Sequence, residues 1–122
     1  MKFEDLLAYK KGFDLAMDIF DESKRFPKEE KYALTDQVRR SSRSVCANIS
    51  EAYRKRLYPK HFISKLTDSD AENAETQTWL KFALACDYLP KENYEELFQK
   101  SEEVGKLINY MICNPDKFGC KI

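Results

Sequence analysis

Carboxylates at helical spacing are the residues of this chain that could hold a metal ion. Glu72 and Glu75 lie three residues apart, the spacing that separates the glutamate from the histidine in the Glu-x-x-His motif of di-iron bundles. A di-iron motif also needs a histidine after the carboxylate, and none follows here. His61 is the one histidine of the chain and has no matching carboxylate motif. We therefore predict no metal site and no cofactor.

Serines and cysteines offer nucleophiles without the bases that would activate them. Cys46 and its neighbouring serines lie in a predicted helix with no histidine at a usable spacing, so neither type of nucleophilic site is supported. Zinc-binding cysteine spacing is also absent, and buried free thiols are expected for Cys46 and Cys86. Glu51 and Glu72 are the only candidates for acid–base catalysis, but buried structural partners explain them better. The sequence thus predicts no enzyme, and a pocket lined by these two carboxylates would be the sign of one.

One face of the central helix is basic. Between residues 24 and 60 there are 11 basic and 4 acidic residues, whereas the whole chain has a formal net charge of zero. Such a face could neutralise the phosphates of RNA or DNA, or it could be ordinary solvated surface. Asp36 shares the face and weakens the first interpretation, and neither a helix-turn-helix nor an aromatic stacking motif is present. The candidate nucleic-acid-binding residues are Arg39, Arg40, Arg43, Arg54, Lys55 and Arg56.

These arginines are positioned by a long amphipathic stretch from Glu30 to Arg56. Its apolar residues recur at helical spacing and predict a core face, with a polar stripe beside it. A short connection around Tyr58 makes the next helix an antiparallel neighbour. Folding the two helices back pairs positions whose numbers sum to about 116, so that polar residues meet polar residues at each level. The predicted hydrogen-bonded seam contains Gln37, Ser44, Asn48, Glu51, Ser69, Glu72 and Asn73, with Asn48 near Ser69 and Glu51 near Lys65.

The first helix carries two apolar stripes. One stripe, from Leu6 through Phe13 and Met17 to Phe20, has the spacing of a core face. A second stripe lies almost opposite, where a monomeric surface helix should be polar. It is either a contact with another copy of the chain or a set of scattered surface residues. The residues of this predicted oligomer contact are Ala8, Gly12, Leu15 and Ile19.

The whole chain reads as one all-α domain over residues 1–122, an antiparallel up-down four-helix bundle. Three glycines and four prolines are too few for an all-β fold. The helices are predicted at about 3–24, 29–56, 60–88 and 92–112, followed by a frayed tail at 113–122. No leader peptide and no apolar run of membrane-spanning length is predicted, so we expect a cytoplasmic protein and no membrane partner.

The pattern of polar and aromatic residues resembles the 23S rRNA intervening-sequence proteins. The most specific parts are Asn48-Ile49 with Glu51, and Ser69 with Glu72. The resemblance covers about residues 3–112. Family members commonly have glycine where this chain has Ala52 and Asp68, which indicates a divergent member. The other matching positions are Glu4-Asp5-Leu6, Ala16-Met17, Phe26-Pro27, Glu30, Tyr32, Leu34-Thr35, Gln37, Arg40, Ser44, Phe62, Leu66, Glu75-Thr76 and Asp87-Tyr88-Leu89.

This resemblance implies an antiparallel four-helix bundle and a homopentameric ring. It also implies relatives encoded within inserts of ribosomal RNA genes, and a relation to the accessory protein of diversity-generating retroelements, which works with a reverse transcriptase and RNA. No catalytic residues come with it. The leading hypothesis is a non-enzymatic, homo-oligomeric scaffold that binds RNA, DNA or a nucleic-acid-associated protein. The alternative is a purely structural protein–protein interaction module.

Overall fold

Four α-helices form the fold in this computed structural model, which describes residues 1–121. They are α1 (Leu7–Ser23), α2 (Asp36–Arg54), α3 (Pro59–Ala85) and α4 (Lys91–Cys113), and no strand occurs in the described range. Each helix packs on the next, and α4 packs back on α1. The predicted all-α, antiparallel four-helix bundle is confirmed.

The approach to α2 is not a regular α-helix. Lys28–Glu30 forms a 3-10 turn and Lys31–Thr35 forms a π-turn, so α2 itself begins at Asp36. Pro27 precedes these turns in an extended conformation, as its fixed ring geometry favours. Leu34 and Thr35 of the π-turn are buried, so this segment contributes to the core before α2 begins.

The helix α1 buries the stripe opposite to the one predicted. The buried residues include the whole stripe that was assigned to an oligomer contact, namely Ala8, Gly12, Leu15 and Ile19. By contrast, Phe13 and Met17 are 49% and 45% exposed. A Cβ atom added at Gly12 would lie 3.2 Å from Cys46 Sγ and 3.7 Å from Val45 Cγ1, so the missing side chain lets α1 approach α2 closely. The oligomer-contact assignment of this stripe is therefore corrected: its small and aliphatic residues fill the intramolecular core.

The antiparallel register of α2 and α3 follows the predicted pairing. Lys65 Nζ lies 3.5 Å from Glu51 Oε2, and these two numbers sum to 116. The hydroxyls of Ser41 and Thr76 are hydrogen-bonded at 2.8 Å between the same helices. Ser69 Oγ donates to the Val45 carbonyl at 2.8 Å.

The predicted polar seam is distributed differently from the expectation. Asn48 Nδ2 donates to the Ser44 carbonyl within α2, rather than to Ser69. Asn73 turns to α4, where its Nδ2 donates to the Ser101 carbonyl at 2.9 Å. The polar layer thus runs from α2 through α3 into α4, because α3 packs against both neighbours and its polar residues face either one.

The tail was predicted to fray over 113–122, but its described part is packed, and Ile122 lies outside the described residues. Pro115–Phe118 forms a 3-10 turn after α4, and both Pro115 and Cys120 are buried. Cys46 is buried as expected, whereas Cys86, just beyond the last turn of α3, is exposed. The tail covers one end of the bundle because its apolar side chains find core surface there. Among residues 1–121, no helix combines the length and apolarity needed to cross a membrane.

Candidate nucleic-acid interface

The six predicted basic residues form two clusters on α2. Arg39, Arg40 and Arg43 lie in its first half, and the other three lie at its C-terminal end. At 1.5 Å and 100° per residue, Arg43 and Arg54 are about 16 Å apart along the axis and nearly on the same face. The fold therefore brings both clusters to one side of the bundle.

Two of these six basic residues are held by other parts of the chain. Arg39 Nε donates to Ser23 Oγ at 2.8 Å, and its guanidinium lies 4.7 Å from the Phe20 ring centroid. Arg56 Nε donates to the Tyr53 carbonyl at 2.7 Å, and its guanidinium stacks 3.5 Å from the Tyr53 ring centroid. Arg39 and Arg56 therefore stabilise the fold, and the helical spacing of the sequence alone does not show this role.

The remaining four basic residues are exposed. In the part of the chain that the structure describes, none of Arg40, Arg43, Arg54 and Lys55 forms an ion pair. The Arg43 guanidinium lies 5.8 Å from the Phe20 ring centroid, further than that of Arg39, and the residue remains exposed. This side of α2 offers cations that an anionic partner could reach without breaking an internal ion pair.

An open depression of about 420 Å³ lies at the first cluster. Its side chains combine three arginines with a polar and an aromatic group. Tyr32, from the π-turn, is 74% exposed beside the arginines. Asp36 contributes one carboxylate, so the depression is not uniformly positive. The lining residues are Tyr32, Asp36, Gln37, Arg39, Arg40 and Arg43.

The second cluster gains basic residues that sequence reasoning missed. An open depression of about 400 Å³ is lined by Arg54 and Arg56 together with Leu57, Gly119 and Lys121. A neighbouring depression of about 450 Å³ adds Lys2 from the N-terminus beside the same two arginines. Charge counting alone could not find Lys2 and Lys121, because only the folded chain brings both termini to the end of α2.

The candidate acid–base carboxylates do not form a pair. Glu51 is exposed and lies against Lys65, whereas Glu72 lies seven residues further along α3, about 10 Å away. Burial and the neighbouring Glu75 raise the pKa of Glu72, and the charge of Arg40 opposes this shift. Arg40 therefore lies close enough to this acidic part of α3 for its charge to act on Glu72. No group of three His, Cys, Asp or Glu side chains suited to a metal ion occurs within residues 1–121.

Residues 4–110 match the family model described as 23S rRNA-intervening sequence protein. The chain belongs to this family. The match confirms the resemblance carried by the polar signature of α2 and α3. Among functionally curated proteins, none matches the chain.

A solved structure supports the same assignment for this 23S rRNA-intervening sequence family member. It is the 1.70 Å crystal structure of a protein of unknown function from the S23 ribosomal protein family of Bacteroides thetaiotaomicron VPI-5482. The two proteins are 31% identical, with a TM-score of 0.80. The similarity covers 93% of this chain and 99% of that chain.

Signature positions of this family member make fold contacts. Ser69 is hydrogen-bonded to Val45 of α2, and the Thr76 hydroxyl is hydrogen-bonded to Ser41 of α2 and to the Glu72 carbonyl of α3. Tyr88 Oη donates to Glu30 Oε2 at 2.9 Å and so connects the end of α3 to the approach of α2. Leu89 is buried beside it. The residues that identify the family thus explain the bundle, whereas its exposed cations lie mostly outside the signature.

Proposed function

We propose that this 23S rRNA-intervening sequence protein is a non-enzymatic, homo-oligomeric scaffold that binds nucleic acid through the basic face of α2. The observation that carries the proposal is the exposure of Arg40, Arg43, Arg54 and Lys55 on one side of the bundle. Cations that already have a carboxylate partner would gain little from a phosphate, whereas these four are available. Four free thiols, two of them exposed, suit a reducing cytoplasm.

Oligomerisation would strengthen this binding. One subunit offers a small number of phosphate contacts, and each contact adds a salt-dependent increment of affinity. Several subunits holding the same strand convert later contacts into intramolecular ones, which raises the total affinity without any new type of contact. The homopentameric ring implied by the family resemblance would multiply the α2 faces in this way.

An aromatic patch on α3 and α4 is the proposed contact between copies. Phe82 is exposed, and its ring centroid lies 6.0 Å from that of Trp79. Trp79 is only partly buried beside it, so the two rings present one apolar surface against which a second copy would pack. Phe98 and Lys81 lie beside the patch, with Lys81 Nζ 5.6 Å from the Phe98 ring centroid.

Fluorescence anisotropy with structured RNA and duplex DNA, titrated across salt, tests the binding. The wild-type protein should bind with micromolar or tighter affinity that falls steeply as salt rises. Arg43→Glu/Arg54→Glu should weaken binding by at least about tenfold. The control Lys91→Glu/Lys106→Glu makes the same charge change on α4, where both lysines are exposed, and should have a much smaller effect.

Light scattering of the same variants separates binding from assembly. Both charge-reversed pairs should keep the wild-type mass, whereas Phe82→Glu should reduce it. Absence of binding at low salt, or equal losses for the two pairs, would contradict the nucleic-acid proposal. An oligomer that binds neither RNA nor DNA would favour the purely structural protein–protein interaction module instead.

A further inference from the structure

We infer that the basic face recognises single-stranded nucleic acid, because a groove between α1 and α2 places aromatic rings between its exposed arginines. The inference rests on the proposed function and names the ligand class of the same face. The groove has a volume of about 380 Å³ and a mostly apolar lining. Its lining residues include Phe3, Tyr9, Phe13, Met17, Ala47 and Ser50.

Three aromatic rings form a row along this groove. The ring centroids of Phe3 and Tyr9 are 5.3 Å apart in an edge-to-face arrangement. Those of Tyr9 and Phe13 are 6.2 Å apart, with an angle of 30° between the planes. Phe13 is the most exposed of the three. Core aromatics would be covered by other helices, whereas this row lies on the side of α1 that the bundle leaves open.

Arginines stand at both ends of the aromatic row. Arg43 lines this groove and also the depression that contains Tyr32. At the other end, the Arg54 guanidinium lies 5.9 Å from the Phe3 ring centroid and lines the depressions formed with both termini. The surface therefore runs from Tyr32 and Arg43 over the aromatic row to Arg54.

This row of rings with an arginine at each end suits a single strand better than a duplex. In a single strand the bases can turn out and stack on aromatic side chains while the phosphates meet arginines. A duplex keeps its bases stacked inside and offers only its backbone to this surface. The 19 residues of α2 span about 28 Å, which corresponds to about eight nucleotides at a stacked spacing of 3.4 Å and fewer when stretched.

The charge of the groove favours a polyanion over a two-fold contact with a second copy of this chain. In a two-fold contact through the groove, Arg43 and Arg54 of one copy would face the same arginines of the other, and this repulsion would oppose the contact. Three carboxylates lie near the path. Asp36 lines the Tyr32 depression, Glu4 lines the depression that contains Arg54, and Asp14 is exposed close to Cys46. All three should oppose a passing strand, and neutralising them should strengthen its binding.

The test compares a uridine oligonucleotide of about 15 nucleotides with an RNA duplex of equal length, since known single-strand sites take about 4–16 nucleotides. At the same salt concentration, the wild-type protein should bind the single strand at least about tenfold tighter than the duplex. Tyr32→Leu/Phe13→Leu should remove most of that preference and change duplex affinity by less than about twofold. Tyr110→Leu, an exposed aromatic on α4, is the control and should keep the preference.

Three further variants test whether the strand lies along the groove. Asp14→Asn should tighten single-strand binding, whereas Arg43→Glu/Arg54→Glu should weaken the binding of both the single strand and the duplex. Phe13→Trp in a Trp79→Phe background should show fluorescence quenching when the uridine strand binds, because a base stacks on the new indole. Duplex binding should leave that fluorescence unchanged.

Each alternative result has a distinct meaning. Equal affinity for single strand and duplex, unaffected by the aromatic variants, overturns this inference and leaves the proposed function standing. If neither the single strand nor the duplex binds at low salt, both this inference and the proposed function are overturned. A change of assembly mass in Phe13→Leu would show that the groove is a contact between copies, which also overturns the single-strand assignment.

Discussion

Asn73 on α3 and Ser101 on α4 exchange two hydrogen bonds in the interior of the bundle. Ser101 Oγ donates to Asn73 Oδ1 at 2.8 Å, and Asn73 Nδ2 donates to the Ser101 carbonyl at 2.9 Å. Gln77 Nε2 adds a third bond to Ser101 Oγ at 3.0 Å. Because these polar groups are satisfied only when the two residues are level, the link fixes the register of α3 against α4.

Removal of this link should destabilise the fold. Asn73→Ala removes the acceptor of the Ser101 hydroxyl and the side-chain donor to the Ser101 carbonyl, and opens a small cavity. We expect the free energy of unfolding to fall by about 1–3 kcal/mol, measured by urea denaturation. The control Asn109→Ala lies on the exposed face of α4 and should change stability by no more than about 0.5 kcal/mol. Equal effects at the two positions would show that the buried link contributes no more than an exposed asparagine.

Close approach of α1 to α2 should make Gly12 intolerant of large side chains. Gly12→Leu would force atoms into the space beside Cys46 and Val45, and we expect overpacking to lower stability by about 1–3 kcal/mol. Lys10→Leu adds the same side chain at an exposed position of α1 and is the control. A thermal scan measures the unfolding midpoint of both variants. If Gly12→Leu unfolds at the same temperature as the wild-type protein, the two helices can move apart at this point without loss of stability.

Helical periodicity predicted the bundle and its α2–α3 register but not the orientation of α1. A turn of four residues between helices leaves little freedom, so the Glu51–Lys65 pair could be placed from numbering alone. On α1, two apolar stripes have equally good spacing, and periodicity cannot say which faces inward. The useful signal was side-chain size. Ala8 and Gly12 are small where helices come closest, and Phe13 is large where there is space.

The candidate interface was predictable only in part, for the same reason. Clustering of arginines on α2 is visible in the sequence, since one helix carries them all. Their neighbours come from distant segments: Ser23 lies 16 residues before Arg39, and Phe118 lies 62 residues after Arg56. The aromatic row was hidden because the stripe that contains Tyr9 and Phe13 was assigned to the core, and Phe3 had no assigned contact. Contacts between remote segments require the folded chain.

Arg39 and Arg40 should separate stability from binding. Arg39→Ala loses the bond to the buried Ser23 hydroxyl and the contact with Phe20, and should lower the free energy of unfolding by about 1–2 kcal/mol. Arg39→Lys keeps the charge but not the fixed guanidinium geometry, so it should recover only part of the loss. Arg40→Ala should leave stability within about 0.5 kcal/mol and weaken nucleic-acid binding. Urea denaturation measures the stability of these variants, and fluorescence anisotropy measures their nucleic-acid binding. A stable Arg39→Ala, or a destabilised Arg40→Ala that binds normally, would contradict the prediction.

Cys46 should be the least reactive thiol of the chain. Burial, with a smaller contribution from the charge of Asp14, raises the pKa of Cys46 to about 12. The thiolate is the reacting form, so Cys46 stays protonated and unreactive at pH 8, whereas exposed Cys86 and Cys113 should be alkylated. Peptide mapping after iodoacetamide treatment measures this, and Cys46 should react only after denaturation. Equal labelling of Cys46 and Cys86 in the native protein would show that the α1–α2 contact opens readily.

The same pKa predicts how stability depends on pH. In the unfolded chain the thiol loses its proton near its ordinary pKa of 9.0, while folded Cys46 retains it. The unfolded state then binds fewer protons, so the free energy of unfolding should fall as pH rises from about 9 towards 12. Cys46→Ala removes this contribution and should show a shallower fall over that range. Parallel slopes for the two proteins would assign the alkaline loss to other groups.

The end of α3 closes with a backbone geometry that glycine normally provides. Asp87 has φ of 63°, in the left-handed region. Around it, Tyr88 N donates to the Ala83 carbonyl at 2.9 Å and Asp87 N donates to the Leu84 carbonyl at 3.0 Å, the two bonds of a Schellman motif. An L-residue pays a conformational cost at this position, which aspartate tolerates better than most.

Substitution of Asp87 should therefore change stability in opposite directions. Asp87→Gly removes the left-handed strain and should raise the free energy of unfolding by about 0.5–1 kcal/mol. Asp87→Val introduces a β-branched side chain that resists this conformation, and should lower it by about 1–2 kcal/mol. Urea denaturation of the two variants measures both effects. The hydrogen bond of the neighbouring Tyr88 to Glu30 should persist in each variant. A destabilised Asp87→Gly would mean that the aspartate side chain contributes more to this turn than its backbone strain costs.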